Sequence, residues 1–179
     1  MIYLMRHGAD PSERYGGWST YGLTEKGREQ VHSAKSNLCN KGITEIYSSD
    51  LVRAKETAEI VANALSLEIT YLPQFRETNN GLLAGMLKTE AIEKNIQEHI
   101  GRRLIGQKHG QRVKVLSNSF IVFKAHGMNS KKQVGKRNVL LVSHGGVMNI
   151  ILCLENGISY TNKETHYQIR DAEIVQLDI

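Results

Sequence analysis

Several kinds of residue and pattern are scarce in this chain of 179 residues. There are two prolines and no low-complexity tract, and 40% hydrophobic with 23% charged residues is a globular balance, which excludes fibrous and disordered classes. No apolar run approaches the roughly 20 residues that a membrane span requires. The apolar start Met1-Ile2-Tyr3-Leu4-Met5 stops at Arg6-His7, too short for a secretory signal and without a basic leader. The two cysteines, Cys39 and Cys153, have neither metal nor redox spacing, and each falls in an expected helix. They read as small buried apolar side chains in a reducing compartment. A cytoplasmic domain with no membrane attachment is the expectation.

Charge is scarce in one sign over one segment. From Gly101 to Arg137 there are ten Lys or Arg and no Asp or Glu, which leaves 13 basic and 18 acidic groups, a net of −5, for the remainder of a chain whose total is +5. The basic character therefore belongs to a segment and not to the protein. Such a run can draw anionic ligands toward a site as a cap, or be a solvated loop. It contains Phe120 and Phe123 but no regular stacking pattern, so nucleic acid is not the expected partner.

What is present alternates. Ile2 to Met5 is a short apolar run that reads as a buried strand. A helix is expected from a Thr24 cap to Gly42, with Val31, Ala34 and Leu38 on one face. Ile43–Tyr47 reads as a second strand. Ser48-Ser49-Asp50 offers caps for a helix over Leu51–Leu65 whose inner face is Ala54, Ala58, Val61, Ala62 and Leu65. Leu67–Leu72 is a third strand. Val139–Val142 is a strand ending at Ser143-His144-Gly145-Gly146, followed by a helix over Val147–Leu154, and Ile169 and Glu173–Leu177 suggest closing strands. This alternation predicts an α/β fold: a mainly parallel sheet with helices on both faces. Residues 80–137 form a long excursion of weak periodicity, expected to be a helical insertion or lid within a single domain over residues 1–179.

In such a sheet ligands bind beyond the carboxyl ends of the strands. Arg6-His7-Gly8 and His144-Gly145-Gly146 both lie there. Phosphoryl transfer needs a nucleophile, cationic donors for the equatorial oxygens and an acid for the leaving oxygen. His7 can attack as neutral imidazole if its other nitrogen is held. Arg6 and Arg53 can contact phosphate bidentately, and His144 can donate to a phosphoryl oxygen. Gly8, Gly145 and Gly146 permit close approach, and Glu77 can protonate the leaving oxygen. Each has a plain structural reading as well. Arg53 sits among Lys55, Glu56 and Glu59 on what reads as a solvated helix face, and Glu77 can simply pair with Arg76.

Five segments, taken together, resemble the histidine phosphatase superfamily, the phosphoglycerate-mutase-like enzymes: Tyr3-Leu4-Met5-Arg6-His7-Gly8, Gly22-Leu23-Thr24-Glu25-Lys26-Gly27, Ser48 to Ala58, Arg76 to Gly85, and Val142 to Gly146. The resemblance implies a transient phosphohistidine on His7, a clamp of Arg6, Arg53 and His144, Glu77 as proton donor, and neither metal nor cofactor. The chain departs from the family at Glu13, where members often carry a phosphate-binding Asn. Arg14 or a backbone amide can substitute there, or the loop can swing outward. Gly17-Trp18 followed by Leu23-Thr24 echoes mutases, but the chain is short for a mutase and Ala9–Glu13 lacks the expected loop residues. A phosphatase acting on a small phosphorylated substrate is therefore preferred over a mutase. A phosphoprotein substrate is also compatible with these residues, as is a non-catalytic phosphate-binding module on the same fold. Oligomeric state is left open.

Overall fold

The computed structural model describes residues 1–94, 114–121, 123, 137–161 and 164–177. Five strands form one sheet in the order β3-β2-β4-β1-β5, with β1 Ile2–Arg6, β2 Glu45–Ser48, β3 Ile69–Tyr71, β4 Val139–Ser143 and β5 Ile174–Leu177. β1 to β4 are mutually parallel, and β5 runs antiparallel beside β1.

The period of two explains why short apolar runs make the centre of this sheet. Ile2 and Leu4 of β1, with Val139 and Leu141 of β4, enter one core cluster; Tyr3 and Met5, with Leu140 and Val142, enter the other. The second cluster is closed by α1 (Glu25–Ala34) through Val31 and by α3 (Val52–Leu65) through Ala54, Ala58, Val61 and Ala62. The first is closed by α5 (Gly145–Glu155) through Val147, Met148, Ile150, Ile151 and Leu152. The sheet is thus covered on both faces, as the alternating pattern predicts. Between α1 and α3 lies the single turn α2 (Ser36–Cys39), and α4 is Lys88–Glu93.

Several boundaries differ from expectation. The helix from Thr24 is interrupted at Lys35, whose N–H still closes on Val31, while Thr24 caps α1 through Gly27 N–H. The cap residue of α3 is Leu51, with no side-chain cap; Ser49 Oγ instead accepts from Leu51 N–H, and Asp50 pairs with Arg76. Ile169 is in no strand, because its carbonyl is taken by Arg6. Cys153 is buried, but Cys39 is exposed at the end of α2, so it is not the buried apolar side chain expected.

The described part of the excursion is better packed than its charge suggests. Residues 114–121 are helical, and Leu116, Phe120 and Phe123 are buried in the first cluster. Phe123 meets Phe75 and Tyr47 edge-on, with ring centroids 5.6 and 5.0 Å apart. The two phenylalanines are core residues and not a stacking platform. Of the ten basic residues only Lys114 and Arg137 are described, so the expected cap role of the run lies outside the described residues. Among the described residues no helix is long and apolar enough to cross a membrane.

Topology places the site. α1 leads from β1 past β4 to β2, whereas α5 leads from β4 past β1 to β5. Connections leave β1 and β4 in opposite directions, which opens a crevice at their carboxyl ends.

Candidate active site

Three strand ends are tied together at this crevice. His7 N–H donates to Ser143 O at 3.0 Å, and Ser49 N–H donates to Val142 O at 2.9 Å. His7, His144 and Ser49 are therefore brought to one level by the sheet register. Gly8 serves this junction in an unexpected way: a Cβ there would lie 2.4 Å from Gly27 O of α1, and one on Gly27 would lie 2.1 Å from Ala9 O. The glycine lets α1 cross tightly under the loop, while the close approach needed elsewhere is made at Gly146, where a Cβ would lie 2.7 Å from Glu77 Oε1. Gly145 lies against the Arg6 guanidinium.

His7 is 4% exposed and both its nitrogens are engaged. Nδ1–H donates to Gly8 O at 2.7 Å, and Nε2 accepts from Arg53 Nε at 3.1 Å. Nε2 therefore carries the lone pair. Burial, then the neighbouring Arg53 charge, pushes the imidazole pKa down to about 3, so His7 is neutral near pH 7. One consequence concerns stability. Between its ordinary value of 6.5 and about 3, the unfolded chain takes up a proton that the folded chain refuses. Stability should then fall on acidification by up to about 1.4 kcal/mol per pH unit from this group. Chemical unfolding of the wild type and His7→Asn at two pH values within that window checks this. The variant should gain relative stability as pH falls, and parallel pH profiles would contradict the assignment.

Arg53 is 1% exposed, not the solvated helix residue that its neighbours suggest. Its Nη2 donates to Gly17 O at 2.9 Å, its Nη1 to Ser19 Oγ at 3.3 Å, and its Nε lies 3.5 Å from Asp10 Oδ2. Arg6 donates to Ile169 O and pairs with Asp171 at 2.9 Å; its buried Nε has no hydrogen-bond partner among the described residues. His144 is fully buried beside His7, ring centroids 5.1 Å apart, with Nε2 bonded to Ser49 Oγ at 2.8 Å. Glu77 does not pair with Arg76, which forks onto Asp50 at 2.5 and 2.6 Å and lies over Trp18. The Glu77 carboxylate instead accepts from Thr78 N–H at 2.7 Å and from Gly146 N–H at 3.2 Å, in the first turn of α5. Trp18 holds the same residue from the other side, its indole donating to Glu77 O at 2.8 Å.

Arg6, His7, Asp10, Arg53, Glu77 and Gly145 line one open cleft of ≈ 1480 Å³, and His144 lies behind it, outside the lining. Glu13 is exposed, and Arg14 donates to Gly85 O and covers Tyr21. Both residues nevertheless line the same cleft as His7. Ser19 and Asp171 lie in no motif of the sequence, and Ser49 and Gly17 lie in recognised segments that gave them no such role, although each fixes one of the clamp side chains. Among the described residues there is no group of three or more His, Cys, Asp or Glu able to hold a metal ion.

The family model of the histidine phosphatase superfamily (branch 1) matches residues 2–179. The chain belongs to the histidine phosphatase superfamily. It is 27% identical over 188 residues to a probable phosphoglycerate mutase GpmB of Erwinia tasmaniensis, covering 99% of this chain and 84% of that protein. A GpmB of the same description from Yersinia pestis is 42% identical over 85 residues, 46% of this chain and 40% of that one. Among solved structures, the native mycobacterial glucosyl-3-phosphoglycerate phosphatase superposes with a TM-score of 0.76 at 25% identity, covering 97% of this chain and 87% of that one. The alpha-ribazole phosphatase of Shigella flexneri has a TM-score of 0.80 at 18% identity, with coverage of 97% and 87%, and shares the fold.

Proposed function

We propose that the chain is a phosphatase that hydrolyses a phosphomonoester through a phosphohistidine on His7 and needs no metal. The observation that carries this reading is the state of His7: a neutral imidazole, held at Nδ1 by Gly8 O, whose Nε2 lone pair faces a buried guanidinium at the cleft. In the first step Nε2 forms a bond to phosphorus as the bond to the leaving oxygen breaks, and Glu77 gives that oxygen its proton. In the second, water attacks phosphorus, the P–N bond breaks, and the Glu77 carboxylate takes the water's proton. Arg6 and Arg53 hold the equatorial oxygens, with Arg6 Nε as a donor awaiting an acceptor, and His144 backs His7. Two guanidiniums supply the positive charge that a metal otherwise brings to a phosphoryl group. The chain is read as one domain, with the 80–137 excursion as the cap that selects among small phosphorylated substrates; Lys88 on the cleft supports this.

Purified protein should therefore turn over p-nitrophenyl phosphate with a chelator present. Activity lost to the chelator and restored by Mg or Mn, or no hydrolysis of any phosphomonoester offered, would overturn the reading. The relative named as a mutase supports a second reading, transfer to another substrate hydroxyl. Reaction in ¹⁸O-water separates the two, because only hydrolysis places solvent oxygen in the released phosphate.

A further inference from the structure

We propose that Thr57 is a positioning residue for the nucleophile: its buried hydroxyl binds Gly8 N–H and ties the His7 turn to the helix turn that carries Arg53. The inference rests on the reading of His7 as the group that attacks phosphorus. An attacking imidazole must be held in line with its target, and a misplacement of about 1 Å can cost on the order of 10²-fold in rate. The two nitrogens of His7 are located by Gly8 O and by Arg53 Nε, at 2.7 and 3.1 Å. Its aim is only as good as the placement of those two partners.

The partners belong to different elements, and Thr57 joins them. His7 N–H still reaches β4, at Ser143 O, but the chain then leaves the sheet. Gly8 is buried just beyond, and its N–H needs an acceptor that the ladder does not supply. Thr57 Oγ1 accepts it at 3.2 Å. The hydroxyl proton is spent on Arg53 O, at 2.8 Å, one turn back along α3. The lone pairs are thereby left for Gly8, and the roles of donor and acceptor are fixed. Arg53 and Thr57 are four apart in sequence and stand on one face of α3. A single helix turn therefore supplies both the guanidinium that faces Nε2 and the hydroxyl that holds the residue whose carbonyl faces Nδ1.

The peptide between His7 and Gly8 is gripped at both ends. Its oxygen, His7 O, accepts from Ala172 N–H at 3.1 Å, and its nitrogen donates to Thr57. A peptide held at both ends has one orientation, whereas one held at the oxygen alone can pivot about that bond and carry Gly8 O away from the ring. In the next peptide Ala9 N–H donates to Gln30 Oε1 at 2.9 Å, which fixes the end away from the ring. Thr57 is fully buried and outside the cleft lining, so it acts on the reaction through His7 and touches no substrate. A threonine that only filled space and satisfied a buried N–H would set the stability of the protein but not the rate of its folded form.

Thr57→Val keeps the shape and removes the acceptor. With p-nitrophenyl phosphate its kcat/KM, which reports the phosphorylation step, should fall on the order of 10²-fold. Inhibition by sulfate, which occupies the arginine clamp without reacting, should keep the wild-type constant. Thr57→Ser restores the hydroxyl and should recover most of the rate. The ring itself gives a second readout. The wild type should show a downfield imidazole N–H resonance, absent in His7→Asn, from Nδ1–H on Gly8 O. That resonance should broaden or vanish in Thr57→Val and return in Thr57→Ser. A wild-type kcat/KM in folded Thr57→Val, equal losses in Thr57→Val and Thr57→Ser, or a rate loss matched by weaker sulfate binding would each overturn the proposal. If Thr57→Val does not fold, Thr57→Ala takes its place, and a Gly8 amide proton that exchanges freely in the folded wild type overturns the proposal by itself. Failure here, with aryl phosphate still hydrolysed by the wild type, leaves the phosphatase reading intact. An imidazole resonance that responds as stated, in a protein that hydrolyses no phosphomonoester, keeps the tie through Thr57 and sinks the phosphatase reading.

Discussion

Replacement of His7 by alanine should lower kcat on p-nitrophenyl phosphate by about 10⁴-fold or more, the scale at which loss of a nucleophile is felt when the remaining groups stay in place. No neighbouring group can take over the bond to phosphorus. His144 is fully buried and its Nε2 is tied to Ser49 Oγ. Asp10 and Glu77 are carboxylates held by Arg53 and by backbone N–H groups. The fold should survive, because β1 is anchored by its ladders to β4 and β5 and not by the imidazole. Quenching the wild type with alkaline detergent during turnover of a labelled substrate should leave phosphate on the protein in an acid-labile, base-stable form. The same quench of His7→Ala should leave none. A variant keeping more than a few per cent of the rate, or a label that resists acid, would remove His7 from the centre of the mechanism.

The central strands and the two histidine turns are legible in the sequence because both depend on local patterns. Ile2–Met5 and Val139–Val142 are apolar at every position, as a strand buried on both faces must be, and a polar triplet at the end of each marks where the chain leaves the core. Arg53 is legible as a motif residue but not as a buried one. Its burial follows from Gly17, Ser19 and Asp10, which arrive from a loop that no periodicity describes. The pairing of Arg76 with Asp50 in place of Glu77 is likewise a contact across 26 residues. The excursion holds a signal that its charge conceals: Leu116, Phe120 and Phe123 are spaced four and three apart, a helical stripe, and all three are buried. Lysines and arginines dominate the composition around that stripe, so the segment reads as solvated unless the spacing is weighed first.

Substitution of Glu77 by glutamine should cost about 10²–10⁴-fold in kcat for an alkyl phosphate, the range for loss of a positioned general acid. The same change should cost far less with p-nitrophenyl phosphate. An alkoxide cannot leave without a proton, whereas a nitrophenolate is stable enough to leave alone, so the ratio of the two losses isolates proton donation from every other role. The carboxylate is well placed for that task. Gly146 and Thr78 N–H groups hold it at the cleft that His7 also lines, the indole of Trp18 fixes its backbone, and the missing Cβ at Gly146 lets it close on the start of α5. Glutamine keeps the size and one acceptor oxygen but must turn an amide toward one of those N–H donors or toward the cleft. Some loss of positioning is therefore expected on both substrates, and only the excess on the alkyl ester reports acid catalysis. A second observable follows from the return step, in which the same carboxylate takes the water's proton. With p-nitrophenyl phosphate the variant should accumulate phosphohistidine, seen as a burst of nitrophenolate close to one equivalent of enzyme followed by slow turnover. Equal losses on the two substrates, with no burst, would leave Glu77 a binding residue and move the search for the acid to the other carboxyls of the cleft.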